Sequence, residues 1–166
     1  EEDEKMTEIL KKFFKRQASS VIPKIGAKSA SWWDEDRWDE ELADDVESLI
    51  DEIADAHGRE AAKAIGSEYN TKLTRKYLRT LAEGRAKAIT STTLRQLDEA
   101  IESDDEEKTP KHVFEVRENR DSVTFGKALA TTAAGWAMLH EAPQQAEAQG
   151  INKQIMKAWV TGANPR

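Results

Sequence analysis

The chain has 166 residues, of which 34% are charged and 38% hydrophobic, and its formal net charge is −7. The apolar residues suffice for helical faces but hardly for a thick buried sheet, so the composition favours a helical assembly over a compact α/β enzyme. The acidic balance argues against a surface devoted to duplex DNA. The absence of cysteine excludes disulfides, thiolate nucleophiles and thiolate metal sites.

The spacing of apolar residues is helical nearly everywhere. No run approaches the roughly 18 consecutive apolar residues of a membrane span, so we expect no membrane partner. Hairpin turns, a Gly-rich βαβ unit and internal repeats are also missing from the sequence. The sequence therefore predicts an all-α fold, an elongated multi-helix array with at most one short strand near the C-terminus.

The first predicted helix has a single apolar face. Its apolar residues follow the i, i+3, i+4, i+7 spacing of such a face: Met6, Ile9, Leu10 and Phe13. We expect this helix to end before Pro23 and Gly26, because proline and glycine are stop signals for helices.

A linker of small residues, 26–30, precedes the second predicted helix. Ser31 is the expected N-cap, with Asp34 three residues later as an approximate capping box. The apolar stripe that follows consists of Trp38, Leu42, Val46, Leu49, Ile50 and Ile53. Gly58 either interrupts this helix or is carried within it at a cost of about 1 kcal/mol relative to alanine. Gly66 is the expected C-terminal cap.

A third apolar stripe begins near Asn70 and weakens near Gly84. Its members are Leu73, Tyr77, Leu78 and Leu81. Ser91 or Thr92 is then expected to restart a helix, whose apolar face carries Leu94, Leu97 and Ile101. The pattern leaves open whether Gly84 is a true break.

A charged segment separates this stripe from the last part of the chain. Residues 102–108 are charged except for Ser103, which predicts a solvated, mobile loop. Thr109 followed by Pro110 then signals a new helix, with a capping hydroxyl and a proline at the first helical position. A short helix carrying Val113, Phe114 and Val116 is expected to follow.

The last long stripe advances by steps of four, three, four and three residues. Its members are Phe125, Leu129, Thr132, Trp136 and Leu139. Pro143 is expected to kink or shorten this helix, because proline removes an N–H donor and clashes with the preceding turn. Residues 155–160 form a strand-like run that needs partners after Arg166 or in another chain, and we expect the chain to be a fragment of a longer protein.

The sequence offers no constellation of catalytic residues. The three histidines, His57, His112 and His140, lie on different predicted elements, and none has a second histidine at metal-binding spacing. The acidic cluster at residues 34–40 lacks the glycine of a calcium loop and is explained by the preference of carboxylates for a helix N-terminus. We therefore predict no enzymatic activity, no cofactor or metal site, and no small-molecule substrate.

The tryptophans are the candidate interface residues. Trp32, Trp33 and Trp38 cluster at the entry of the second helix, and Trp136 and Trp159 lie in the last part of the chain. Large aromatic side chains are enriched at interfaces, which favours a docking role. The alternative is that the first three close a hydrophobic staple within the chain itself.

The order of the segments resembles a known family. Between Phe14 and Asp45 the sequence carries Gln17, Ala18, Ser19, Trp32, Trp33 and Asp34, followed by an acidic helix start at Trp38. This region resembles the C-terminal part of portal proteins from actinobacterial tailed phages and prophages. The later half resembles the Mu F-like minor head (head morphogenesis) domain that often continues such portals.

The pattern of the minor head domain is an arginine before a helix, an alanine–threonine pair within it, a glycine, and a lysine–tryptophan run that leads to threonine and arginine. The matching positions are Arg117 or Arg120, Ala130 with Thr131 or Thr132, Gly150, Lys157, Trp159, Thr161 and Arg166. Two features depart from the family. Ala133 stands where a glutamate commonly follows the threonine, if Thr132 is the match, and the histidine segment after the arginine is missing.

The resemblance implies a helical portal-associated region over residues 1–103, a charged linker over 104–112 and a truncated minor head segment over 113–166. It implies a structural virion protein at the portal vertex, assembled in the host bacterial cytoplasm, with a role in head morphogenesis and in DNA packaging or ejection. The implied partners are further copies of the chain in a ring and other phage head proteins, with weak proximity to DNA. The competing hypothesis is a non-viral helical adaptor or regulatory module that docks a partner through its tryptophan cluster.

Overall fold

Helices form nearly all of the chain that the structure describes. The computed structural model describes residues 1–151. Its helices are α1 (Glu2–Gly26), α2 (Glu35–Ala64), α3 (Arg75–Glu102), α4 (Pro110–Val116), α5 (Ser122–Trp136) and α6 (Ala142–Ala148), with a 3₁₀ turn at Thr71–Leu73. Residues 1–151 contain no strand, and the predicted all-α multi-helix array is confirmed. The strand-like run at residues 155–160 lies outside the described residues.

The last three helices form one continuous helix, which two π-helical segments interrupt at Arg117–Asp121 and Ala137–Glu141. The backbone keeps right-handed helical angles at each junction. The second π-helical segment ends two residues before Pro143, whose nitrogen cannot donate to the preceding turn. In a π-helical turn a backbone carbonyl accepts from the N–H five residues later instead of four, so its partner differs from that in an α-helix. The helix is therefore not shortened at Pro143, and its irregularity lies in the turn before it.

Capping geometry explains where several helices begin and end. Gly66 follows α2 with a φ of +75°, and Thr109 Oγ1 accepts the N–H of His112 at 3.1 Å, so both predicted caps are confirmed. The predicted N-cap at Ser31 is wrong. Asp34 caps α2 instead, because its carboxylate accepts the N–H of Arg37 at 3.1 Å.

The helix end predicted before Pro23 does not occur, and Gly84, which the sequence leaves open, is not a break. Pro23 lies inside α1, where proline removes one helical hydrogen bond only three residues before the helix ends. The end predicted before Pro23 is therefore wrong. α3 also runs through Gly84 without a restart at Ser91 or Thr92, whose hydroxyls donate to the carbonyl of Ala88 within the helix.

α2 lies at the centre of the packing and contacts α1, α3 and α5. α5 also packs antiparallel along α1, which places Lys15 Nζ 3.4 Å from the Glu118 carboxylate and brings Thr7 beside Gly126. α3 packs mainly on α2 and approaches α5 much less closely. The predicted portal-associated region and the predicted minor head segment therefore contribute side chains to a single core.

α6 holds the connection between α2 and α3 through two glutamines. The Gln145 carboxamide accepts the N–H of Asn70 at 2.6 Å and donates to its carbonyl at 3.2 Å. Gln149, one turn later, accepts the N–H of Glu68 at 3.0 Å and donates to its carbonyl at 2.7 Å. We call this pair the glutamine clasp. It satisfies four backbone groups that helix-to-helix connections otherwise leave to water.

The close contact between α1 and α5 depends on the missing side chain of Gly126. A Cβ atom at this position would lie 2.6 Å from Thr7 Oγ1 and 2.8 Å from the backbone nitrogen of Thr7. The backbone contact cannot be relieved by a rotamer change, so a larger residue requires the two helices to separate.

We expect Gly126→Ala to lower the free energy of unfolding by about 1–2 kcal/mol. The cost of separating the packed helices exceeds the stabilisation that alanine's higher helix propensity provides. Gly135→Ala in the same helix is the matched control, since a Cβ there meets no described atom within 4 Å. The control is expected to be neutral or to stabilise by up to about 1 kcal/mol. Urea unfolding followed by circular dichroism measures both, and equal effects would contradict this packing.

Candidate protein-binding groove

The three histidines lie apart from one another. His57 pairs with Glu2 at 2.9 Å, His112 lies 3.9 Å from Glu115, and His140 stands apart from both beside Trp136. Within residues 1–151 no group of three or more histidine or acidic side chains is arranged to hold a metal ion. Over the same residues, no helix has both the length and the apolar character needed to cross a bilayer.

The N-terminal tryptophan cluster closes the junction between α1 and α2. Trp38 is only 1% exposed and meets Phe13 edge-on at 6.1 Å between ring centroids. Trp33 packs between Trp32 at 6.0 Å and Trp38 at 6.3 Å, and both Trp32 and Trp33 are half-buried. The Arg37 guanidinium covers the Trp38 ring at 4.2 Å. Trp38 thus belongs to the chain's own core, as in the staple alternative, while a docking role for Trp32 and Trp33 stays a prediction.

A groove runs between α3 and α5, the two helices that share α2 as a neighbour but separate from each other. Its volume is about 250 Å³, and its walls are mostly apolar. The lining residues are Arg85, Ala88, Ile89, Thr92, Phe125, Ala128, Leu129 and Thr132. The predicted motif position Thr132 lies in this wall. The stripe with steps of four and three residues therefore faces the groove along much of its length, and only part of it is buried.

An aromatic stack joins α3 and α5 away from the residues that line the groove. Tyr77 of α3 stacks on Trp136 of α5 at 4.4 Å between ring centroids, and Trp136 lies 6.3 Å from His140. Leu139, three residues after Trp136, is 62% exposed, so the apolar stripe of α5 continues onto the open surface.

α3 is rich in basic residues, although the whole chain is acidic, and Arg85 is the one among them that lines the groove. Between residues 75 and 96 the only acidic residue is Glu83, and the basic residues are Arg75, Lys76, Arg79, Arg85, Lys87 and Arg95. Lys127 of α5 lines a different cavity, beside Glu2 and Asp3. Arg79 is neutralised by Asp44, Glu47 and Glu83, which raise its pKa. No carboxylate of residues 1–151 lies within 4.0 Å of the charged groups of Lys76, Arg85 or Lys87.

The first π-helical segment contains a buried ion pair. Arg117 is 2% exposed, donates from Nη1 to Asp121 Oδ2 at 3.1 Å and lies over the Phe125 ring. Burial lowers the pKa of Arg117, and the Asp121 carboxylate opposes that shift. The Arg117 atoms Nε and Nη2, and both amide atoms of the buried Gln17, have no hydrogen-bond partner among the described residues. Asp121 is therefore the one carboxylate bonded to this cation within residues 1–151.

The remaining family-motif positions lie away from the groove or outside the described residues. Arg120, the other candidate for the leading arginine, is 76% exposed and pairs with Asp121 at 3.1 Å. Gly150 has a φ of +84° and ends α6, while Ile151 donates to the carbonyl of Ala146, as in a helix-terminating glycine motif. Lys157, Trp159, Thr161 and Arg166 lie outside the described residues.

A second, larger cavity lies beside the glutamine clasp. It has a volume of about 780 Å³ and is lined mainly by polar residues of the connection after α2 and of α6. Several of these groups bond one another, including Thr71 with Asp55, Asp55 with Arg59, and Gln145 with Asn70. Mutual satisfaction of this kind explains the cavity as part of a structural loop.

The sequence predicts neither Tyr77 nor Arg85 as a site residue, and it indicates Arg117 only as a candidate for the leading arginine of the family motif. Tyr77 and Arg85 become site residues only because α3 continues past Gly84 and faces α5. Comparison with known protein families, with curated proteins and with solved structures finds no match to this chain. The fold and the groove define an all-α protein with a candidate protein-binding surface.

The buried ion pair yields a stability prediction. We expect Asp121→Asn to lower the free energy of unfolding by about 3 kcal/mol, because it leaves the buried Arg117 without its carboxylate. Arg120→Ala is the matched control. It removes only the exposed partner of Asp121 and should change stability by no more than about 0.5 kcal/mol. Thermal and urea unfolding measure both variants. Similar small losses in the two would mean that Arg117 does not depend on Asp121.

Proposed function

We propose that this chain is a structural part of a tailed-phage virion protein at the portal vertex, with a role in head morphogenesis and in DNA packaging or ejection. The proposal rests on the order of motifs over residues 14–45 and 117–166, which resembles a portal C-terminal region followed by a Mu F-like minor head segment. The proposed role is architectural, and its partners are further copies of the chain in a ring and other head proteins.

The observation that carries an assembly role is the partly buried groove. An apolar stripe at heptad-like spacing normally packs against a neighbour along its whole length. Here Leu129 is buried, but Phe125 and Trp136 are only half-buried and Leu139 is exposed. A ring subunit keeps such apolar surfaces for the proteins around it, which favours assembly as the role of this chain.

The alternative is a non-viral helical adaptor that stays monomeric and binds one partner. The groove itself favours this reading as well, because a helix-accepting groove does not require a ring. The two functions differ in self-association. A portal-vertex protein associates with copies of itself, whereas an adaptor does not.

We expect the molar mass of the purified chain, measured by light scattering, to rise with concentration towards a closed ring. A ring needs the same head-to-tail contact repeated until it closes, so association should stop at a defined mass and not continue into fibres. Negative-stain images at the highest concentration check for closed rings. A monomer mass at every concentration would count against the portal-vertex proposal and would favour the adaptor.

The acidic balance of the chain suits a surface that DNA passes without being retained. We expect duplex DNA not to be retained by the immobilised chain even at low salt, because a net charge of −7 repels the phosphate backbone. Retention at about 50 mM salt that disappears steeply with added salt would overturn this part of the proposal.

A further inference from the structure

We propose that the two ends of α3 form the contact between copies of the chain, so that the basic end of one copy receives the acidic end of the next. The acidic end consists of residues 101–107, and the basic end consists of Lys72, Leu73, Arg75 and Lys76. The inference deepens the proposed function and rests on it, since it names the surfaces through which a ring would form. Opposite charges, exposed aliphatic side chains and a cavity carry it together.

The charges at the two ends of α3 are placed against the helix dipole. The helix begins with Arg75 and Lys76 and has no acidic residue in its first turn, while its last turn carries Glu99 and Glu102 and no basic residue. Carboxylates stabilise a helix at its N-terminus and cations at its C-terminus, each by about 0.3–1 kcal/mol, so the observed order weakens the helix. Thr74 at the N-cap makes no side-chain capping bond either. A contact with another molecule explains charges that are unfavourable within the helix itself.

The basic end borders the cavity of about 780 Å³ beside the glutamine clasp, and Leu73, which is 67% exposed, lines that cavity. The charged residues that line it are Arg59, Lys72, Arg75, Asp55 and Glu68. Asp55 is already paired with Arg59 at 2.9 Å. No carboxylate of residues 1–151 lies within 4.0 Å of the charged groups of Lys72 or Arg75. This end therefore offers an exposed leucine between two cations.

The acidic end is the exposed connection between α3 and α4. Residues 102 and 104–107 are exposed carboxylates, and none has a cation within 4.0 Å in the part of the chain that the structure describes. Ile101 beside them is 45% exposed. Ser103 Oγ accepts the N–H of Asp105 at 3.1 Å, and Asp105 Oδ1 accepts the N–H of Glu107 at 2.9 Å. These bonds hold the connection in shape, which lowers the entropy lost on binding.

The two ends cannot meet within one chain. α3 has 28 residues, and at a rise of about 1.5 Å per residue its ends lie about 40 Å apart. A contact between them therefore joins two copies head to tail, and the same two surfaces repeat at each contact until a ring closes. Two basic ends or two acidic ends repel each other, which disfavours a symmetric pair of copies. The occupant of the basic end is thus the acidic end of a second copy.

Paired charge reversals test this contact. The basic-end variant carries Lys72→Glu and Lys76→Glu, and the acidic-end variant carries Asp104→Lys and Glu106→Lys. The reversals place carboxylates at the N-terminus of α3 and lysines after its C-terminus, so each variant should be at least as stable as the unchanged chain in urea unfolding. A loss of association in these variants is then not a loss of folding.

We expect sedimentation equilibrium at low salt to show self-association weakened at least about tenfold in each variant, because each brings like charges together. An equimolar mixture of the two variants should restore association, since every contact in it can pair unlike ends. The matched control is Lys12→Glu with Lys24→Glu at exposed lysines of α1, which changes the net charge as the basic-end variant does and should leave association unchanged. Added salt should weaken association of the unchanged chain.

The apolar part of the contact has its own pair of variants. Leu73→Ser is expected to weaken association at least about threefold, because it removes the exposed aliphatic side chain at the basic end. Val123→Ser, at a 50% exposed valine of α5, is the control and should have no effect. Equal effects of the two would mean that Leu73 lies outside the contact.

The contact and the ring can fail separately. A mixture that associates no better than either variant alone, or a lysine control that weakens association as much, would overturn the contact. A chain that forms rings regardless of these reversals loses the contact and keeps its portal-vertex role. Variants that rescue each other but assemble into open fibres keep the contact and argue against the ring. A monomer at every concentration, even at low salt, would overturn both.

Discussion

The contact between α1 and α5 is the constraint on which the rest of the structure depends. It joins the first helix to the last long helix, and it is close because Gly126 lets the backbone of Thr7 approach. With α5 committed to α1 and α2, no helix of the described chain covers the side of α5 that faces α3. The groove is therefore a result of how the core packs. The packing of α5 on α1 and α2 thus requires a glycine at position 126 and also leaves an open apolar wall facing α3.

Local signals in the sequence predicted the helices well but not the way they pack. The apolar stripes of the first two helices, the cap at Thr109 and the glycine after α2 depend on residues close in sequence, and the structure contains all of them. The errors lie where two local signals competed. Pro23 is a stop signal but stands in the last turn of α1, and Ser31 is a common capping residue but the Asp34 carboxylate caps α2. The groove could not be predicted from sequence, because it depends on α3 and α5 being neighbours across a gap.

Polar residues lie inside the core on both α1 and the C-terminal helix. Arg117 and Gln17 are buried, and part of their hydrogen-bonding capacity has no partner among the described residues. Hydrophobic replacements of similar volume often stabilise a protein at such positions, so polar side chains there favour one register of packing over others at some cost in stability. The arginine lies in a π-helical segment, where the extra residue in the turn changes the direction of the side chains that follow. This segment therefore sets the register of α5 against α1, and with it the position of the groove wall.

The glutamine clasp also bears on how the protein responds to mechanical force. The chain leaves α6 at Gly150, directly after Gln149, and α6 continues the helix that forms the groove wall. The four hydrogen bonds of the clasp pair two side-chain amides with the backbone of Glu68 and Asn70, and beside them Ile151 packs on Ile65 and Ala146. Force applied at the end of α6 would therefore act on polar and apolar contacts together, at a distance from the groove.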